Sequence, residues 1–145
     1  MKLFTHPAST TSRPLLMFCA SENTDIEHVT VDIFTGEHVQ GPYLATNPNG
    51  LVPALEDDGF ILTESSAILK YLADKTGSDA YPNDLQARAR VNEIMDWFNS
   101  NLYREIGYHL VYPQCFPSHK RELEDMNKSI IDWGLAQTKK QLEIL

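Results

Sequence analysis

In the first third of the chain, apolar and polar positions change rhythm twice. Lys2 to Thr5 is a short strand candidate ended by His6-Pro7. In His28 to Ile33, His, Thr and Asp alternate with Val and Ile, the two-residue period of a half-buried strand. Between them, Leu15, Leu16, Met17, Phe18 and Cys19 follow Arg13-Pro14. That run predicts a helix with Ser12 as its N-cap and Pro14 tolerated in the first turn. Strand, helix and strand at this spacing form a βαβ unit, so the two strands should run parallel. A loop from Thr35 to Leu44 leads on.

The stretch Thr46 to Lys75 carries the densest local instructions. Asn47-Pro48-Asn49-Gly50 is a turn signal, because Pro restricts φ while Asn and Gly accept positive values. In the apolar run Leu51 to Leu55, Pro53 cannot donate to a ladder, which places it at a strand start or edge and makes it a candidate for a cis peptide. Asp57-Asp58-Gly59 reads as a hairpin connection between Ala54-Leu55-Glu56 and Phe60-Ile61-Leu62. Thr63 is the expected N-cap of a helix on which Ala67, Ile68, Tyr71 and Leu72 recur at helical spacing, with Gly77 as its stop. A helix N-terminus bearing Glu64, Ser65 and Ser66 is thereby delivered beside the Val52-Pro53 backbone. Amides at a helix start bind carboxylates. Ordinary capping explains the same residues equally well.

Beyond the helix-breaking segment 78–84 the pattern is helical throughout. Val91, Met95, Phe98 and Leu102 predict a helix from about Asp84 toward Val111, with a bend at Gly107. Pro113 to Pro117 is expected to be a turn and Ser118 the N-cap of a last helix carrying Leu123, Met126, Ile130, Trp133, Leu135, Thr138 and Leu142. The expected organisation is an α/β domain over 1–77 (βαβ, then ββα), a linker over 78–84 and an all-α domain over 85–145. Two helices bury only one face each, and the last reaches Leu145 without a stop signal, so the second domain is expected to be incomplete and the chain truncated.

Composition narrows the function classes. Lys and Arg total 12 against 20 Asp and Glu, a net charge of -8, which argues against a nucleic-acid footprint. With no basic-then-apolar leader and no membrane-length apolar run, a soluble, cytoplasmic protein is expected. Cys19 and Cys115 form no CxxC, so neither a redox pair nor a zinc site is suggested, and Cys19 sits among apolar helix residues as core.

The order of these elements resembles the glutathione transferase family, and the motifs Gly36-Glu37-His38, Asn47-Pro48, Val52-Pro53-Ala54-Leu55, Thr63-Glu64-Ser65 and Asp84-Leu85-Gln86-Ala87-Arg88-Ala89-Arg90 look like its theta class and bacterial relatives. The resemblance implies a thioredoxin-like domain that binds glutathione as co-substrate, with no metal, and a helical domain that helps bind a small hydrophobic electrophile, in a homodimer that engages neither nucleic acid nor membrane. By the same resemblance, Ser65 and its helix start hold the γ-glutamyl carboxylate and Glu64 pairs with the glutathione ammonium. A cis Val52-Pro53 bond leaves the Val52 backbone for the cysteinyl part. His38 reaches toward the glycyl carboxylate, where Leu51 is apolar although many relatives carry a basic side chain nearby. Asn92 stands where many relatives carry an acid that reaches across the dimer.

The thiol is expected beside the loop after the first strand. Theta-like members place a serine there with Arg four positions later, as Ser9 and Arg13 do. Thr10, Thr11 and Ser12 are alternates, and Ser9 also reads as an ordinary loop serine. A hydroxyl donating to sulfur favours thiolate over thiol, which could attack an electrophilic carbon. Two other readings stand beside this one. The same fold serves as a catalytically silent interaction module. A glutathione-dependent thiol reductase would place Cys near Ser9, which this sequence does not. Tyr103, Tyr108, Tyr112 and Phe116 are candidate electrophile-pocket aromatics or simple helix packing.

Overall fold

The computed structural model describes residues 1–144. They form two compact units, divided between Pro82 and Asn83.

The first unit contains β1 (Lys2–Thr5), α1 (Arg13–Ser21), β2 (Glu27–Thr30), the short helix α2 (Gly41–Leu44), β3 (Ala54–Asp57), β4 (Phe60–Thr63) and α3 (Ser65–Thr76). The four strands lie in the order β2-β1-β3-β4. β1 and β2 are parallel, as the intervening helix requires, while β3 runs antiparallel to both β1 and β4. Leu3 and Leu55 are cross-strand partners on one face of the sheet. They bury against Leu15 and Cys19 of α1 and Ile68 and Leu72 of α3, pairs spaced four apart on their helices. Full burial of an aliphatic side chain of this size contributes roughly 1.5–3 kcal/mol. Phe4 alternates to the opposite face, where its ring meets Tyr43 of α2 at 6.1 Å, edge to face.

Several local expectations are corrected. β2 stops at Thr30 rather than Ile33: Val31 still donates to the Thr5 carbonyl, but the Asp32 carboxylate accepts the amides of Phe34 and Thr35 (2.8 and 3.2 Å) and folds the chain into a turn. The 35–44 loop contains a turn of 3₁₀ helix (Glu37–Val39) and α2. Asp57 closes β3 opposite Phe60, leaving a two-residue Asp58-Gly59 connection in which both residues have positive φ (49° and 85°). Thr63 is not an N-cap. It pairs with Ala54 as the last residue of β4, and Glu64 takes the cap position with φ 68° and no side-chain capping bond. Ser12 does occupy the cap position of α1, but its side chain makes no capping bond. The Asp57 carboxylate accepts from Tyr71 Oη and Lys75 Nζ and ties the end of β3 to α3.

The second unit contains helices and no strand among the described residues. α4 (Leu85–Trp97) is capped by Asp84, whose carboxylate accepts the Ala87 amide at 2.9 Å. The helix then widens over Phe98–Leu102 and Arg104–Val111, where Tyr103 N–H reaches the Phe98 carbonyl and Tyr112 N–H the Gly107 carbonyl, five residues back. It closes as α5 (Tyr112–Cys115), so the expected Pro113–Pro117 turn begins only after Cys115. Proline is tolerated there because it sits in the first turn of α5. Ser118 lies in a 3₁₀ turn (Pro117–His119), and α6 (Glu124–Leu142) starts after Leu123. That start is held by the buried Asn127, whose Oδ1 accepts the Arg121 amide at 3.0 Å. A serine cap is therefore replaced by a side chain reaching back from inside the helix.

Candidate functional site

Three stretches converge at one end of the sheet because of strand direction. β1 ends there, β3 begins there, antiparallel to it, with Ala54 opposite Phe4, and β4 ends there with Thr63 opposite Ala54. The loop after β1, the segment leading into β3 and the first turn of α3 must therefore be neighbours. The Val52-Pro53 peptide that enters β3 is cis, and Pro53 is buried.

The loop after β1 is held by hydroxyls. The Ser9 carbonyl accepts the Arg13 amide (3.1 Å) and the Ser9 Oγ accepts the Ser12 amide (3.2 Å), so Ser9 rather than Ser12 satisfies the helix entry. Ser12 is fully buried, and its Oγ accepts from the His6 amide at 3.4 Å. Thr11 bridges to the second stretch: its hydroxyl donates to the Val52 carbonyl at 3.0 Å and lies 3.0 Å from the Ser9 hydroxyl. Ser9, Thr10 and Thr11 are half-buried and Arg13 is exposed.

On the far side of Val52, the Leu51 carbonyl accepts from Tyr43 Oη and Asn47 Nδ2, both at 2.7 Å, while the Leu51 side chain is exposed. Burial raises the Tyr43 phenol to about 12, against a smaller opposing effect of its hydrogen bond with Asn47. Gly50, with φ +62°, packs against the turn that carries His38. A Cβ at this position would lie 3.2 Å from the His38 carbonyl oxygen, so both conformation and space favour glycine. His38 Nδ1 is buried and has no hydrogen-bond partner among the described residues.

The third stretch is the start of α3. Glu64 is exposed at φ 68°, a backbone region that costs a non-glycine residue on the order of 1–3 kcal/mol and is concentrated at functional sites. The Glu64 side chain makes no capping bond, which leaves the first-turn amides, with the half-buried Ser65 among them, without a cap from that residue. Such a terminus attracts carboxylate.

The site thus joins Ser9, Thr11 and Val52 by hydrogen bonds. Glu64 and Ser65 lie beside them through the Ala54–Thr63 pair, and His38 lies behind Gly50. Sequence reasoning missed the parts played by Tyr43 and Asn47. Asn47 carried a turn signal, but its long reach to Leu51 had no local signature, and Tyr43 had none at all. Among the described residues no group of acidic, His and Cys side chains is arranged to hold a metal, and no helix is long and apolar enough to cross a membrane.

A mixed sheet of this order, with a cis-proline at the entry of β3 and a helix start beside it, is a thioredoxin-like fold. Residues 1–74 match the family described as Glutathione S-transferase, N-terminal domain. The chain belongs to the glutathione S-transferase family. It is 44% identical over 99 residues to glutathione S-transferase theta-2 of Homo sapiens, covering 67% of this chain and 41% of that protein. It is 38% identical over 119 residues to glutathione S-transferase theta-1 of Rattus norvegicus, covering 81% and 50%. The chain therefore spans about half or less of these relatives. Among solved structures, apo human glutathione-S-transferase T1-1 superposes with a TM-score of 0.82 at 32% identity, over 99% of this chain and 60% of the other. Human glutathione transferase theta-2 in complex with glutathione and an unknown ligand gives 0.72 at 35% identity, over 93% and 58%.

Proposed function

We propose that this chain binds glutathione and lowers the pKa of its thiol, so that the thiolate can attack a small hydrophobic electrophile. The observation that carries the reading is the convergence of a hydroxyl loop, a cis-proline backbone and a helix start at one sheet end. In this reading the γ-glutamyl carboxylate takes the α3 amides and the Ser65 hydroxyl, and the ammonium pairs with Glu64. The cysteinyl part lies along Val52 and Pro53. His38 and Leu51 border the glycyl end, and the buried, unpartnered Nδ1 of His38 is suited to an acceptor there.

The sulfur would then meet Ser9. Its proton leaves to solvent, and the thiolate that remains accepts a hydrogen bond from the Ser9 hydroxyl, which keeps its own proton. The N-terminus of α1 adds positive potential, and Arg13 at its first position contributes a cation. Attack forms one carbon–sulfur bond and breaks one bond to a leaving group, or opens a strained ring. Ser12 is poorly suited to this part because it is fully buried, whereas Thr10 and Thr11 are half-buried. A homodimer in the cytoplasm is the setting the reading implies.

Calorimetric titration with glutathione is the first test. Binding is expected, and Ser65→Ala should weaken it about tenfold through loss of one hydrogen bond to a charged group. Ser9→Ala should slow conjugation of a generic aryl halide on the order of 10²-fold while leaving glutathione affinity nearly intact. Full conjugation by Ser9→Ala would remove Ser9 from the role. No glutathione binding would overturn the reading and favour a silent interaction module.

A further inference from the structure

The four hydroxyls of the loop after β1 are not equivalent, and hydrogen-bond directions separate them. A carbonyl only accepts, so the bond between Thr11 Oγ1 and the Val52 carbonyl at 3.0 Å uses the single hydroxyl proton of Thr11. The contact between Ser9 Oγ and Thr11 Oγ1, also 3.0 Å, then has one direction: Ser9 donates and Thr11 accepts. Ser9 Oγ in turn accepts the Ser12 amide at 3.2 Å. A chain runs from the Ser12 amide through Ser9 and Thr11 to the carbonyl that precedes the cis-proline, and each bond polarises the next.

Resting on the glutathione reading above, we propose that Thr11 is a positioning residue that links the sulfur-facing hydroxyl to the cysteinyl-binding backbone. Its proton is committed to Val52, so it does not serve as the thiolate donor. It holds the Val52 carbonyl in place and, until sulfur arrives, accepts the Ser9 proton and so fixes where the Ser9 oxygen lies. When sulfur arrives, the Ser9 proton turns from Thr11 Oγ1 to the thiolate. No covalent bond is made or broken in that exchange. The Thr11–Val52 bond joins segments 41 positions apart. Through it the Ser9 hydroxyl and the Val52 backbone share one reference, Thr11 Oγ1.

The test compares Thr11→Val, which keeps the shape and removes the hydroxyl, with Thr11→Ser, which keeps the hydroxyl, using glutathione as the probe. Affinity is read by calorimetry, and the pKa of the bound thiol is read from thiolate absorbance against pH. Thr11→Val is expected to weaken binding about tenfold and to raise the bound-thiol pKa, with Thr11→Ser restoring both. Because Thr11 acts on the thiol through Ser9, the pKa effect of Thr11→Val should vanish in a Ser9→Ala background. Thermal melts of all variants separate this from unfolding, and since Thr11→Ser and Ser9→Ala each carry a readout, a poorly folded Thr11→Val does not end the test. Wild-type binding with an unchanged Thr11→Val, or an equal pKa effect with and without Ser9, overturns the role of Thr11 alone. Absence of wild-type binding overturns the glutathione reading and this one with it.

Discussion

At the residue scale, Tyr43 shows how one buried phenol supports the site. Its ring packs on Phe4, and its hydroxyl holds the Leu51 carbonyl one residue before Val52. Burial raises its pKa from the ordinary value of 10 to about 12. In the unfolded chain the phenol ionises near 10, while in the folded chain it stays protonated until about 12. The stability tied to this group is thus fully present below pH 10 and is lost as pH rises toward about 12. Denaturant unfolding across that range should show stability falling with pH, and Tyr43→Phe should flatten the fall. At neutral pH the same substitution should cost about 1 kcal/mol, since the Leu51 carbonyl keeps its bond from Asn47. None of this was legible from residues 35–44. A tyrosine in a polar loop has no period to reveal its burial, whereas Ser9, His38 and Glu64 stood out because a known order of motifs surrounds them.

At the scale of elements, the second unit depends on one close helix contact. A Cβ on Gly134 would lie 2.7 Å from the backbone carbon of His109, a distance that no rotamer change can relieve. Around this contact the His109 ring meets Trp133 at 5.0 Å, and His109 Nδ1 bonds the buried Glu105 carboxylate at 2.8 Å. Gly134→Ala would gain about 1 kcal/mol of helix propensity, but the backbone overlap should outweigh it and leave a net loss of about 2 kcal/mol. Thermal melts of the two proteins would reveal it, and an unchanged or higher midpoint would show that the helices can part without cost. The sequence did reveal the helices themselves, through apolar spacing. It did not reveal the wide turns from Phe98 to Val111, because hydrophobic spacing tolerates an extra residue per turn, nor the start of α6, which Asn127 controls from inside the helix.

At the scale of the whole molecule, the net charge of -8 includes carboxylates with specific partners, and Asp57 and Glu105 are the buried ones among the described residues. Hydrogen bonds from Lys75 and then Tyr71 hold Asp57 below the usual carboxylate range in the first unit. In the second, burial pushes Glu105 upward, but the bonds from His109 and Arg104 outweigh it and its pKa falls. Both groups are charged when folded at pH values where the unfolded chain already binds protons, so their stabilisation is complete above roughly pH 4 and disappears as pH falls through the lowered folded values. Acid unfolding followed by circular dichroism should begin below that point. Asp57→Asn and Glu105→Gln should each flatten the acid limb, and an unchanged limb in both variants would assign acid unfolding to other groups.

What the sequence alone determined is what short-range physics encodes. The βαβ–ββα order, a hairpin within Asp57-Asp58-Gly59, the cis-proline candidate and the stop at Gly77 follow from periodicity and from the φ preferences of Gly, Pro and Asn. The family motifs add the candidate residues Ser9, His38, Glu64 and Ser65. Tertiary structure decided which groups share hydrogen bonds. That Thr11 reaches Val52, that Tyr43 and Asn47 converge on Leu51, and that Gly134 abuts His109 depend on segments brought together by the sheet and by helix packing. Long-range partners leave no local signature, because a hydroxyl or an amide reads the same in sequence whether it faces water or a carbonyl 41 residues away.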